Sequence, residues 1–147
     1  MKAIKHILLI DDDTINNMIN TKVLKLSKMV QQVSAVTSAR EAISLLKELI
    51  NTDANNFPDI IFLDINMPDM DGWELLKDFT LFPEKVLQQC RIVLLTSSID
   101  LFDIKKAKQY TIVNDYVAKP LSLEKLRLLT DENHERFSLS QMAIHAI

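Results

Sequence analysis

The sequence predicts an α/β protein: a doubly wound, five-stranded parallel sheet in the order 2-1-3-4-5, covered by helices on both faces as a three-layer sandwich. Three observations predict it. Short apolar runs alternate five times with segments whose apolar residues recur at helical spacing. The strongest runs, Ile7 to Ile10 and Ile60 to Leu63, are apolar at every position, as in strands buried on both faces of a parallel sheet. Four of the runs then end at residues able to do chemistry: Asp11 and Asp12, Asp64, Thr96, and Lys119. The carboxyl edge of such a sheet is where ligands bind, here in the crevice between strands 1 and 3.

Ile4 to Ile10 reads as the first strand, with Lys5 and His6 near its start. It runs into Asp11-Asp12-Asp13-Thr14, where Asp13 or Thr14 can cap the next helix. Ile15, Met18, Ile19, Val23 and Leu26 mark the apolar face of that helix. Gln32 to Val36 is a weaker strand, suited to a sheet edge, and Ser38-Ala39-Arg40-Glu41 is a capping box that opens the second helix. Ala39, Ala42, Ile43, Leu46, Leu49 and Ile50 form its apolar face, and a polar loop closes at Pro58. The third strand ends at Asp64. Gly72, the only glycine, is expected to take φ > 0 before a third helix from Trp73 to about Phe82, with Leu75, Leu76 and Phe79 inward. Pro83 breaks or restarts that helix.

Arg91 to Leu95 is the fourth strand, ending in Thr96-Ser97-Ser98. Asp100 to Gln109 is the fourth helix, with Leu101, Ile104 and Ala107 inward and Lys105, Lys106 and Lys108 solvated. Ile112 to Val117 is the fifth strand, followed by Ala118-Lys119-Pro120 and a last helix starting near Ser122.

At 147 residues, with 48% hydrophobic and 25% charged residues, the chain suits one globular domain. A net charge of -3 argues against a dedicated nucleic-acid binder. No apolar stretch is long enough to span a membrane. One cysteine, Cys90, excludes an internal disulfide and suits a cytoplasmic setting. It reads as a small buried residue, Trp73 and the methionines read as packing, and His6, His134 and His145 lack metal-ligand spacing.

Three carboxylates brought to one edge repel, and a divalent cation relieves this. An all-oxygen set suits Mg2+, with Asp12 and Asp64 as direct ligands, Asp11 direct or through water, and the backbone carbonyl of Asn66 as a further oxygen. Asp64 is the candidate nucleophile toward a phosphoryl group. Lys119 supplies a mobile positive charge and Thr96 a hydroxyl donor. Each of these residues has an ordinary structural reading alone; their coincidence at four strand ends does not.

The segments Ile7 to Asp13, Leu63 to Gly72, Leu95 to Ser98 and Tyr116 to Pro120 together resemble the receiver domain of two-component response regulators, the CheY-like family, over about residues 4–130. The resemblance implies a flavodoxin-like fold, Asp64 as phosphoacceptor, and a magnesium site at Asp11, Asp12 and the Asn66 carbonyl. It further implies Thr96 as switch hydroxyl, Tyr116 as switch aromatic, Lys119 as phosphate-binding lysine, and a Lys119–Pro120 bond able to be cis. Ser98 lies where the family tunes dephosphorylation. Ile112 and Val113 stand where the family often has Gly-Ala.

Residues 1–130 are thus expected to form the receiver, and 131–147 a C-terminal extension, helical or disordered, with no output domain. The implied function is a phosphorelay switch charged by a histidine kinase or histidine phosphotransfer protein. It would signal to a protein effector through the fourth helix, fifth strand and fifth helix, or pass the phosphate on, from a monomer or a phosphorylation-dependent dimer, without turnover-enzyme activity. Alternatives are a metal-dependent phosphohydrolase with an Asp nucleophile, and a phosphorylation-silent interaction module. The first lacks a cap-sized insertion and has Asn66 where a second Asp is common; the second is disfavoured by the intact Asp64, Thr96 and Lys119. A flavin carrier is least favoured, since no phosphate-cradling loop follows strand one.

Overall fold

Along the chain the elements run β1 (Ile4–Ile10), α1 (Thr14–Leu26), β2 (Val30–Val36), α2 (Ala39–Thr52), β3 (Ile60–Asp64), α3 (Gly72–Phe79), α4 (Glu84–Gln88), β4 (Arg91–Thr96), α5 (Leu101–Lys108), β5 (Val113–Ala118) and α6 (Leu123–Thr130). This computed structural model describes residues 3–97 and 100–131. Ser98 and the segment 132–147, with His134 and His145, lie outside the described residues, and so do the expectations placed on them. The strands form one parallel sheet in the predicted order β2-β1-β3-β4-β5.

Register explains why the strand ends meet. Ile10 pairs with Leu63, Asp64 with Leu95, and Thr96 with Ala118, so Asp11, Asp64, Thr96 and Lys119 finish their strands at one edge. β3 is buried at every position, as its unbroken apolar run requires, while the edge strand β2 is only partly covered. Ile7, Leu8, Leu9, Phe62, Leu63 and Leu94 sit at the centre of the core. Leu46 of α2 and Leu75, Leu76 and Phe79 of α3 join the same core. Cys90 is buried, and burial pushes its thiol up, as expected of an inert packing residue.

The caps follow the sequence. Asp13 Oδ1 accepts from Ile15 and Asn16 N–H at the start of α1. Ser38 Oγ accepts from Glu41 N–H, and the Glu41 carboxylate reaches back to Thr37 N–H. Pro83 restarts the chain as α4, so α3 stops at Phe79 rather than near Phe82. β2 begins at Val30, and β5 runs Val113 to Ala118, each slightly shifted from its predicted start.

Two expectations are corrected, and one helix faces a way that its spacing did not specify. Gly72 does not take positive φ; that conformation belongs to Lys28 and Asp69. Glycine is needed at 72 for space, because a Cβ there would lie 2.7 Å from Ile65 Cα and 2.9 Å from Asp64 O. Leu101 is exposed, since the inward face of α5 is set by Ile104 and Ala107 one turn on. The apolar stripe of α1 also points out: Ile15, Met18, Ile19 and Leu26 are exposed, while Asn17, Asn20 and Leu24 are buried. Asn17 explains the inversion, because its Nδ2 donates to Asp11 O at 3.0 Å and Val36 O at 3.1 Å, tying α1 to the ends of β1 and β2.

Candidate functional site

The carboxyl edge of the sheet gathers Asp11, Asp12 and Asp64, which can offer one oxygen each within 4.8 Å of one another. Asp11 and Asp64 are buried and Asp12 is exposed, so the cluster opens to solvent on one side. Each buried carboxylate is held by the turn that follows it. Asp11 Oδ1 accepts from Asp13 N–H at 2.9 Å, and Asp64 Oδ1 accepts from Asn66 N–H at 3.1 Å.

Lys119 closes the cluster. Its Nζ donates to Asp11 Oδ2 at 2.8 Å and lies 3.5 Å from Asp64 Oδ2. Burial works to lower the Lys119 ammonium, but the hydrogen bond to Asp11 and the charges of Asp64 and Asp11 hold it above an ordinary lysine. Asp64 moves up as well. Burial, with the charge of Asp11 added, outweighs the attraction of Lys119 and pushes its carboxyl up to about 6. One ammonium therefore does not neutralise this edge. The donor set is entirely oxygen, anionic in excess and partly open, which fits a hard divalent cation and not a thiolate- or imidazole-binding metal.

Thr96 is buried at the end of β4, and its carbonyl accepts from Lys119 N–H at 2.6 Å, fastening the Lys119 turn to the neighbouring strand. Tyr116 is fully buried on β5. Its hydroxyl shares a hydrogen bond with Thr96 and lies 3.5 Å from Asp103 Oδ2 of α5. Burial raises the Tyr116 hydroxyl above an ordinary tyrosine, which keeps it a neutral donor. The Lys119–Thr96 backbone bond, and then the Thr96, Tyr116 and Asp103 side chains, lead from the acidic edge to α5. The Lys119–Pro120 bond is cis.

Sequence reasoning named Asp11, Asp12, Asp64, Thr96, Tyr116 and Lys119 but not Asp103, and the fold brings Asp11, Asp12, Asp64 and Lys119 together. It missed four supports. His6 bridges Asn56 O at 2.7 Å and Ser34 Oγ at 2.8 Å. Arg40 of α2 pairs with Asp69 at 2.8 Å in the loop that follows Asp64. Asn17 anchors α1, and Lys125 is buried beneath the Lys119 turn. Only the two asparagines at 16 and 17, interrupting an apolar helix, gave any hint. A cleft of about 310 Å³ beside the cluster is lined by Asn16, Ile19, Asn20, Ser97, Lys119 and Pro120.

Among the described residues, no helix is long and apolar enough to cross a membrane. Comparison with known proteins agrees with the geometry. The family model described as the response regulator receiver domain matches residues 7–131. The crystal structure of a two-component response regulator from Cytophaga hutchinsonii is 38% identical, covers 87% of this chain and 95% of its own, and superposes with a TM-score of 0.81. A two-component response regulator of Arabidopsis thaliana is 32% identical over 126 residues, 84% of this chain and 21% of its own length. The hybrid signal transduction histidine kinase L of Dictyostelium discoideum is 29% identical over 131 residues, 86% of this chain but 7% of its own length. The chain therefore spans well under half the length of these curated relatives. Receiver domains are signalling modules rather than classical enzymes; they bind Mg2+ at an acidic pocket and interact with histidine kinases or phosphotransfer proteins. With the five-stranded order, the acidic edge and Lys119 already in place, the match over residues 7–131 makes this chain a member of the response regulator receiver domain family.

Proposed function

We propose that this receiver is a phosphorylation-dependent switch of a two-component phosphorelay, with Asp64 as its phosphoacceptor. The observation that carries the reading is the geometry around Asp64: a buried carboxylate at a strand end, 3.5 Å from Lys119 Nζ and clustered with Asp11 and Asp12. In the transfer step a carboxylate oxygen of Asp64 forms a bond to phosphorus as the phosphorus–nitrogen bond of a phosphohistidine breaks, and the electron pair leaves on the imidazole. Asp11, Asp12, Asp64 and the Asn66 carbonyl would hold Mg2+, which when bound supplies positive charge against the phosphoryl oxygens. Lys119 supplies the protein's own cation on a flexible stem, so the charge that develops on the equatorial oxygens is met without solvent rearrangement.

Thr96 offers its hydroxyl to the new phosphoryl group. Drawing it there changes its hydrogen bond with Tyr116, and Tyr116 passes the change to α5 through Asp103. The surface of α5, β5 and α6 is then the output face, with Leu101, Phe102 and Leu123 exposed on it. The phosphodonor, a histidine kinase or histidine phosphotransfer protein, docks on the exposed apolar residues Ile15, Met18 and Ile19 of α1, beside the cleft that leads to Lys119. Residues 1–130 serve as the receiver and 131–147 as an appended segment, a division supported by the end of the family match at residue 131.

Intact-mass spectrometry after incubation with Mg2+ and a small acyl phosphate tests the reading. The expected result is a gain of one phosphoryl mass that is lost with EDTA and absent in Asp64→Asn. Folded wild type that gains nothing with fresh donor overturns it; released inorganic phosphate would then identify a hydrolase, and none would identify a silent binding module.

A further inference from the structure

We propose that Lys125 is a positioning residue for Lys119, holding the turn that aims the Lys119 ammonium at Asp64. Lys125 breaks two local rules at once. It is the third residue of α6, after the cap Ser122, where the helix dipole disfavours a cation. It is also only 8% exposed, although lysine almost always keeps its ammonium in water. Burial lowers that ammonium below an ordinary lysine. A leucine or methionine would fill the same space without either cost.

What the charge does there is specific. Lys125 Nζ donates to Ala118 O at 2.7 Å and to Pro120 O at 2.8 Å. These two carbonyls stand on either side of Lys119. Together with the bond from Lys119 N–H to Thr96 O, they fix the backbone before, at and after Lys119. A lysine side chain has four rotatable carbons, so where its ammonium spends its time depends on where its Cα is held. Local rules broken without a packing gain mark residues kept for a site. The ammonium also satisfies two carbonyls at the end of β5, beside which no further strand lies among the described residues.

The inference rests on the proposed phosphoacceptor chemistry, and a double-mutant cycle separates the two. Phosphorylation by a small acyl phosphate with Mg2+ is timed in the full chain for wild type, Lys125→Met, Lys119→Met and the double variant, alongside thermal unfolding of each. Lys125→Met is expected to slow labelling about tenfold when Lys119 is present and within about twofold when it is absent, because a displaced charge matters only if the charge is there. Its effect on the unfolding temperature is expected to be the same in both backgrounds. An equal slowing in both backgrounds, or no slowing in either, overturns the proposal. If Lys125→Met does not fold, Lys125→Gln, which removes the charge and shortens the reach to the two carbonyls while staying polar, enters the same cycle with the same criterion. Wild type that takes no phosphoryl group removes the underlying reading and this one with it; wild type that labels normally beside an unchanged Lys125 series removes this one alone.

Discussion

Helices α1 and α2 flank β2 in the chain, have 13 and 14 residues, and are both capped by a side-chain oxygen. Both sequences carry an apolar stripe. In α2 the stripe turns inward, burying Ala39, Ala42 and Leu46. In α1 it turns outward, and asparagines at 17 and 20 face the protein instead. The difference lies in what each helix must meet. α2 lies on apolar side chains, so the hydrophobic effect sets its rotation. α1 starts at the acidic edge, where Asn17 donates to the carbonyl of Asp11 and adds a second bond to the carbonyl of Val36, which already accepts from Asp11 N–H. Amphipathic spacing locates a stripe; it does not say what covers it.

The sharpest way to break this contrast is to cut the core side of α2. Leu46 is fully buried. Leu46→Ala is expected to lower unfolding free energy by about 2–5 kcal/mol in a denaturant titration, with no direct effect on the chemistry at Asp64. A loss below about 1 kcal/mol would mean that α2 does not depend on its stripe, and the contrast with α1 would collapse.

Most of the fold was legible because its signals are local. The unbroken run Ile60 to Leu63, the box Ser38 to Glu41 and the stop at Pro83 each depend on near neighbours. The site residues were legible because strand ends in a parallel sheet converge whatever their loops do, so Asp11, Asp64, Thr96 and Lys119 could be placed together before any distance was known. What was not legible depends on tertiary partners. Gly72 looked like a conformational requirement and is a steric one, set by Ile65 from the other side of a loop. Lys125 was passed over as part of a helix start, because nothing in its neighbours says that two carbonyls lie within reach of its ammonium. The stripe of α1 was read correctly as apolar, but its outward direction was not legible, since the polar needs of the β1 and β2 ends cannot be seen in the helix itself.

The acidic edge that turns α1 over has a cost of its own, and pH exposes it. Asp64 holds its proton more tightly in the fold, at about 6, than at the ordinary value of 3.8. The folded state therefore binds more protons between about pH 4 and 6, and the stability this group contributes falls as pH rises through that window. Above it, the ionised Asp64 is a standing penalty in the absence of metal. Asp64→Asn is expected to raise metal-free stability at pH 7 by about 1–3 kcal/mol, to lose that advantage by about pH 4, and to gain less than wild type from added Mg2+. A variant no more stable than wild type at pH 7 would show that Lys119 alone balances the edge.

The smallest stability effect is expected where the contrast is most visible. Ile15 is 60% exposed and Met18 is 55% exposed. Ile15→Ala with Met18→Ala should change unfolding free energy by no more than about 0.5 kcal/mol, because little apolar surface returns to water and alanine favours the helix. Labelling of Asp64 by a small acyl phosphate should be unchanged, since neither side chain reaches the carboxylates. Transfer from a phosphorylated histidine phosphotransfer protein should slow about tenfold, the effect of losing roughly 1.4 kcal/mol of docking. The three readouts divide the explanations cleanly. Slower transfer with unchanged stability makes the outward stripe of α1 a docking face. A stability loss near that of Leu46→Ala would instead mean that another part of the chain covers it, and α1 would then follow the same rule as α2.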